Sequence, residues 1–449
     1  MSRLNQKSRT SNKKMRTEKD FIGEMALRDE TLYGIQTARA VDNFSLHYKK
    51  TSPLLVKALV MVKKAAALSY KEMEEKAASN KAELYRAIAG ACDRILAMEN
   101  LEPLFPVDAL QGGAGTSTNM NVNEVLANLA LKTLGKPAGT YDIIHPIDHV
   151  NRGQSTNDVY PTALRIAAIL ALRPLSEQCA VLQESLQKKE TLWSGIKKLG
   201  RTELMDAAPV TLGEEFGAYA QAIGRDRWRL YKIEERLRQV NLGGTAVGNA
   251  HTAERRYRFL AYEKLREMTG IGLAAAEYPM DITQNNDVFV EVSGLLKALS
   301  VNLSKIAGDI RLMNAGPRGG IREITVQPLQ MGSTIMPGKV NPVIPEMVIQ
   351  TSIRVQANDL AITIAASRGE FELNAFLPLI ADSLLESLCL LERAVVLFRT
   401  KCVETITPNE DRCAALLDSS AAYAVSLLPE CGYEEAERRV KERENRSSP

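Results

Sequence analysis

Aromatic residues make up only 5% of this 449-residue chain, and stretches that alternate in the strand rhythm are scarcer still. A sandwich or barrel built from many short alternating strands is therefore excluded. Also missing is any apolar run near the ~18 residues that a membrane-spanning helix requires. The N-terminus lacks the apolar core of a secretory signal. Six cysteines (Cys92, Cys179, Cys389, Cys402, Cys413, Cys431) show no C-x-x-C spacing, which disfavours a zinc ribbon and a dense disulfide framework alike. Strong net charge is missing too: Lys+Arg 57 against Asp+Glu 54 leaves +3, too little field to gather nucleic acid or anionic lipid. These absences describe a soluble, cytoplasmic protein with a small-molecule partner, no nucleic acid and no membrane.

What is present is helix. Ala, Leu, Glu, Lys and Arg fill most windows. Val292, Leu295, Leu299, Leu303, Ile306, Ile310 and Met313 recur at spacings of three and four, one apolar stripe along several turns. Phe216, Ile223, Leu230 and Leu237 recur every seven residues, the mark of long helices packed nearly parallel in a bundle. Apolar helical stretches over about 159–187, 343–367 and 376–403 bring the long helices to five. Gly112, Gly113 and Gly115 break the pattern ahead of another helix at 119–132.

The expected fold class is all-α, a three-part chain with a central long-helix bundle. An N-terminal helical domain covers 18–153, the bundle 154–408 and a short C-terminal helical segment 409–449. Residues 1–17 carry only basic charges with no apolar periodicity and read as a disordered tail; an organelle transit peptide has a similar composition.

Four polar clusters interrupt the helices: GGAGTSTNMN at 112–121, GQSTND at 153–158, GRTELMD at 200–206 and MGSTIMPGKVNP at 331–342. Hydroxyls ahead of an apolar helical run serve as N-caps, and the same helix starts offer N–H donors to anions. The fourth cluster resists the capping reading, because Pro337 and Pro342 cannot extend a helix and Gly332 and Gly338 loosen the backbone between them. It reads as a loop able to close over an anion with Ser333, Thr334, Lys339 and Asn341. His145 and His149 have metal-ligand spacing for a helix, but Pro146 between them argues against a metal.

GSTIMPGKVNP resembles the G-S-S-x-M-P-x-K-x-N signature of the fumarase/aspartase superfamily. GAGTSTNMNVNEVLAN, HPIDHVNRGQSTNDVYPTALR, GRTELMDAAPVTLGEEF and GPRGGIREI resemble further family blocks in the family's order, so the similarity spans about residues 18–410. GKVNP is similar to the class II fumarase and aspartate ammonia-lyase branch, and QSTND with GGAGTS sits closer to its ammonia-lyase side. The resemblance implies elimination of ammonia from aspartate without a cofactor or metal, in a homotetramer with a shared helical core and composite sites. A fumarase, or a structural homologue weakened in catalysis, stays open as an alternative. By the same resemblance Ser333 is the base, acting as an oxyanion. Thr116, Ser155, Thr156 and Thr334 donate to the carboxylate next to the abstracted proton. Lys339, Asn341 and Thr202 hold the other carboxylate, and Asn157 meets the amino group of the dicarboxylate substrate.

The sequence departs from the family at several places. Thr334 stands where the signature has a second serine, and Ile147 where a block has asparagine. Glu203 stands where relatives have His or Gln, and is expected to face Glu346, the carboxylate after the signature that pairs with that histidine in fumarase-like relatives. GYEEAERRVKE resembles only the beginning of the family's small C-terminal helical domain.

Overall fold

The computed structural model describes residues 14–447. Two short antiparallel strands open the described chain, β1 (Met15–Lys19) and β2 (Glu24–Arg28), followed by helices α1 (Ile35–Asn43), α2 (Pro53–Lys76), α3 (Ala82–Leu96) and α4 (Thr116–Thr133). The long α5 (Thr156–Leu192) leads into a hairpin of β3 (Lys197–Thr202) and β4 (Met205–Thr211), then α6 (Leu212–Leu237). Next come α7 (Arg255–Thr269), α8 (Pro279–Gln284), α9 (Asp287–Met313), α10 (Val343–Ala366) and α11 (Leu377–Phe398). Three short helices, α12 (Glu410–Asp418), α13 (Ala424–Cys431) and α14 (Tyr433–Ser447), complete the order. The fold is all-α, and the five long helices expected from the apolar spacing are α5, α6, α9, α10 and α11.

The chain packs as two compact units, each discontinuous in sequence. One comprises residues up to Leu170 with Glu234–Glu291 and Leu360–Leu385, the other Ala171–Ile233 with Val292–Asp359 and the residues from Glu386 on. The packing thus divides the chain differently from the consecutive segments 18–153, 154–408 and 409–449, because each long helix contributes residues to both units.

In the first unit α2 packs against α3 and α7. Leu55, Leu59, Ala66 and Tyr70 lie along its buried side, and the Tyr70 ring stacks on Tyr257 of α7 at 4.7 Å. In the second unit the α9 stripe is buried at Val292, Leu299, Leu303, Ile306, Ile310 and Met313. Leu295 is only half-buried and Leu296 is fully buried instead, a one-residue rotation that a single-face reading does not resolve.

Most of the expected disordered tail, residues 1–13, lies outside the described residues, but Met15–Thr17 correct that expectation by forming part of β1. The cause is Arg16, whose guanidinium donates to the carbonyls of Arg28, Thr31 and Tyr33 at 2.8–3.0 Å and pairs with Glu18 at 2.8 Å. Four acceptors on one side chain order a segment that has no apolar periodicity.

Candidate functional site

The loop at 331–342 lies in the second unit, has no helix or strand of its own, and is largely exposed. Its shape comes from internal hydrogen bonds. Gly332 N–H donates to the Lys339 carbonyl at 2.8 Å, and Asn341 Nδ2 donates to the Gly332 carbonyl at 2.9 Å, so the two ends are cross-tied. Glycine is required at 332, where a Cβ would come within 2.8 Å of both Asn341 N and Lys339 O. Inside the closed ring, Ser333 Oγ accepts from the backbone N–H of Ile335 at 3.1 Å and of Met336 at 2.9 Å. Two donors aimed at one hydroxyl oxygen favour negative charge there.

Thr334 is exposed beside Ser333. Lys339 and Asn341 line a cavity of about 570 Å³ whose wall also holds Arg311, Arg322 and Glu346. Glu346, in the first turn of α10, has its carboxylate 3.6 Å from Arg311.

Thr202 and Glu203 occupy the tip of the β3–β4 hairpin, an element that the sequence reading did not anticipate. Its two turn residues, Glu203 (φ 53°) and Leu204 (φ 65°), are both left-handed, as a two-residue hairpin turn of mirror-image type demands. Asn-Gly is the usual choice there, and a bulky side chain costs about 1–2 kcal/mol. Such a cost at an exposed tip points to a use beyond folding. Glu346 faces Arg311, and Glu203 is exposed with no side-chain hydrogen bond or ion pair to the described residues.

The hairpin is anchored by buried charge. Glu323, fully buried, receives Arg201 Nη1 at 2.9 Å on one oxygen. Lys198 Nζ lies 2.8 Å from the other, off the hydrogen-bonding direction, and donates instead to Glu215 at 2.7 Å. Burial raises the Glu215 carboxyl above its usual range, with Lys198 opposing that rise.

Thr116 and the Ser155–Asn157 cluster lie in the first unit. Gly115 precedes α4 at φ 94°, where a Cβ would collide with the Tyr160 ring of α5 at 2.4 Å, so only glycine lets the two helix starts meet. Thr116 follows at the first helical position, exposed. At the start of α5 the Ser155 side chain accepts from Asn157 N–H at 3.2 Å while Asp158 accepts from Ser155 N–H at 3.0 Å, a capping box closed by aspartate. The other Asp158 oxygen accepts from Gly243 and Thr245 N–H, both at 2.9 Å. Burial nonetheless raises its carboxyl to about 6, against the pull of those donors. Asn157 Nδ2 donates to the Ala246 carbonyl at 2.8 Å, and Thr156 Oγ1 accepts from Asn119 Nδ2 at 3.1 Å.

His145 and His149 have their Nδ1 atoms engaged as acceptors, from Ile147 and Asp148 N–H and from His145 N–H respectively. They shape a single wide helical turn at Pro146–Val150.

Sequence reasoning missed Lys63, Asn119, Asn151 and Asp158 in the first unit, and Lys198 and Glu323 in the second. Two signals were available. Ser155-x-x-Asp158 fits the capping-box pattern, and Lys63 interrupts the apolar run VMVKKAAAL on the side of α2 that Leu59, Ala66 and Tyr70 bury.

A family model described as lyase matches residues 23–357. Aspartate ammonia-lyase of Helicobacter pylori strain J99 is 44% identical over 95% of this chain and 91% of its own length. A crystal structure of fumarate lyase:delta crystallin from Brucella melitensis, bound to cobalt, superimposes with a TM-score of 0.90 at 44% identity, covering 96% of this chain and 93% of that one. The class II fumarase of Schistosoma mansoni also has a TM-score of 0.90, over 95% of this chain and 92% of that one, but only 28% identity.

Proposed function

The chain belongs to the lyase family of the fumarase/aspartase superfamily, and on that premise we propose that it eliminates ammonia from L-aspartate to give fumarate, reversibly. The observation that carries the chemistry is the pair of backbone N–H groups on Ser333 Oγ. Eliminating ammonia from aspartate begins with loss of a proton from the carbon beside the β-carboxylate. The product of that step is an aci-carboxylate with two negative charges, which needs fixed donors. Ser333 takes the proton as an oxyanion. Thr116, Ser155, Thr156 and Thr334 donate to the aci-carboxylate, while Lys339, Asn341 and Thr202 hold the α-carboxylate. The Asn341 amide already spends one N–H on Gly332 and keeps the other for substrate. Asn157 contacts the departing amino group.

Incubation with L-aspartate should release ammonia and fumarate in equal amounts. Fumarate without ammonia, or neither product, contradicts the reading.

The catalytic form is a cytoplasmic homotetramer in which Thr116, the Ser155–Asn157 segment and the Ser333 loop of one site come from different subunits. Support for this reading comes from the family resemblance. It predicts rescue: Ser333→Ala and Thr156→Ala chains, each reduced about 10²-fold or more alone, should regain part of the parental activity when unfolded and reassembled together. Properly reassembled mixed oligomers without activity would contradict shared sites.

Glu203 acts in this site as a substrate selector together with Glu346. An exposed carboxylate at a strained tip attracts the substrate ammonium and offers nothing to a neutral hydroxyl. Glu203→Gln should raise the KM for aspartate by about tenfold, the effect of a lost interaction worth ~1.4 kcal/mol, and Glu203→His should shift preference toward hydration of fumarate. An aspartate KM and an aspartate-to-malate preference unchanged from the parent in both variants would exclude the role.

A further inference from the structure

Lys63 is fully buried at the middle of α2, yet no carboxylate of the described residues comes within ion-pair distance of it. A buried ammonium without a counter-charge is expensive, so its retention calls for a compensating task. Its Nζ donates to Asn151 Oδ1 at 2.7 Å and to Gln154 Oε1 at 3.0 Å. Asn151 Oδ1 also accepts from Asn119 Nδ2 and Asn123 Nδ2, each at 3.2 Å. Three donors therefore converge on one amide oxygen, while Asn151 Nδ2 binds the Gln154 carbonyl at 3.1 Å, just ahead of Ser155. With its oxygen so loaded, Asn151 has one possible orientation, and the amide of Asn119 must present nitrogen toward it.

That orientation reaches Thr156. Asn119 Nδ2 donates to Thr156 Oγ1 as well, at 3.1 Å. A hydroxyl that accepts from one side turns its own hydrogen away, and no acceptor among the described residues takes it. The Asn119 and Asn123 side-chain oxygens are buried and unpartnered, so the cluster is richer in acceptors than its own donors satisfy. Burial lowers the Lys63 ammonium to about 7, with Asp158 and Cys92 pulling the other way.

We propose that Lys63 and Asn151 are positioning residues that, through Asn119, lock the Thr156 hydroxyl as a donor toward the aci-carboxylate of the substrate. The inference rests on the aspartate-elimination reading for the role of Thr156, and on the hydrogen-bond geometry for everything behind it.

A double-mutant cycle on the full-length enzyme tests it, with kcat and KM measured for aspartate in Lys63→Met, Thr156→Val and the double variant. Thr156→Val should lower kcat by about 10²-fold, the usual loss for one donor to a developing oxyanion. Lys63→Met should lower kcat by about tenfold or more with KM changed less than about threefold, because the donor matters most in the transition state. In the Thr156→Val background the same Lys63 substitution should change kcat by less than about threefold, since neighbours in one network are not additive. Fully additive losses would overturn the proposal, as would an unchanged kcat in Thr156→Val. Asn119→Asp decides the matter if Lys63→Met fails to fold. Its carboxylate can only accept, which turns the Thr156 hydrogen inward, so kcat of the folded variant should fall as far as in Thr156→Val with KM changed less than about threefold; retained kcat overturns the proposal. Aspartate left unconverted by the unmodified enzyme would instead remove the elimination reading itself.

Discussion

Ser333→Ala should abolish turnover of aspartate and leave substrate binding nearly intact. A serine hydroxyl is a very weak acid, and bringing it within reach of neutral pH takes about 5 units, or ~7 kcal/mol at 1.36 per unit. Hydrogen bonds to a charged group contribute about 1.5–3 kcal/mol each. The N–H groups of Ile335 and Met336 thus supply about 3–6 kcal/mol of the requirement. Lys339, six residues on in the same cross-tied loop, and exclusion of water on substrate binding act in the same direction. The alanine variant keeps the Gly332–Lys339 and Asn341–Gly332 ties, so the carboxylate contacts survive. Loss of a base typically costs 10²-fold or more, and the dissociation constant for succinate, a non-reacting dicarboxylate, should move less than about threefold. More than about a tenth of the parental rate in Ser333→Ala would remove Ser333 from the role of base.

Glu323→Ala should have the largest effect on stability of any single charge removal near the site. Glu323 is fully buried and is the partner of Arg201, while Lys198 sits between it and Glu215. Breaking a buried pair by removing one member leaves an uncompensated buried charge and costs about 3–5 kcal/mol. Lys198 keeps Glu215, so the lower end of that range applies. At a urea slope of about 3 kcal/mol per M, the midpoint should fall by about 1 M. Removal of Glu435, an exposed carboxylate paired with Arg438 and Arg439 on α14, should leave the midpoint where it was. Equal midpoints for both variants would mean that the Glu323 cluster carries no net stabilisation.

The long helices were legible in the sequence because their apolar residues keep helical spacing over many turns, as Phe216, Ile223, Leu230 and Leu237 do and as the structure buries all four. The N-terminal strand was not legible, since what orders it is the reach of Arg16 to three carbonyls rather than any local pattern. The β3–β4 hairpin escaped for a similar reason. Its turn is Glu203-Leu204, where the sequence signal for such a turn is Asn-Gly or Asp-Gly. Among the candidate site residues, those in signature blocks could be named from the sequence. Their supports could not: nothing local says that Lys63 meets Asn151, 88 positions away, or that Arg201 meets Glu323 across 122. The Arg311 neighbour of Glu346, 35 positions upstream of it, was not legible either.

The most direct test of the central claim is steady-state formation of fumarate, followed in its ultraviolet band, from L-aspartate and from L-malate in parallel with the same enzyme. Fumarate should form from aspartate at a kcat/KM at least about 10²-fold above that for malate, a difference of ~2.7 kcal/mol in transition-state stabilisation. Equal or greater efficiency with malate, or no fumarate from either, would contradict it.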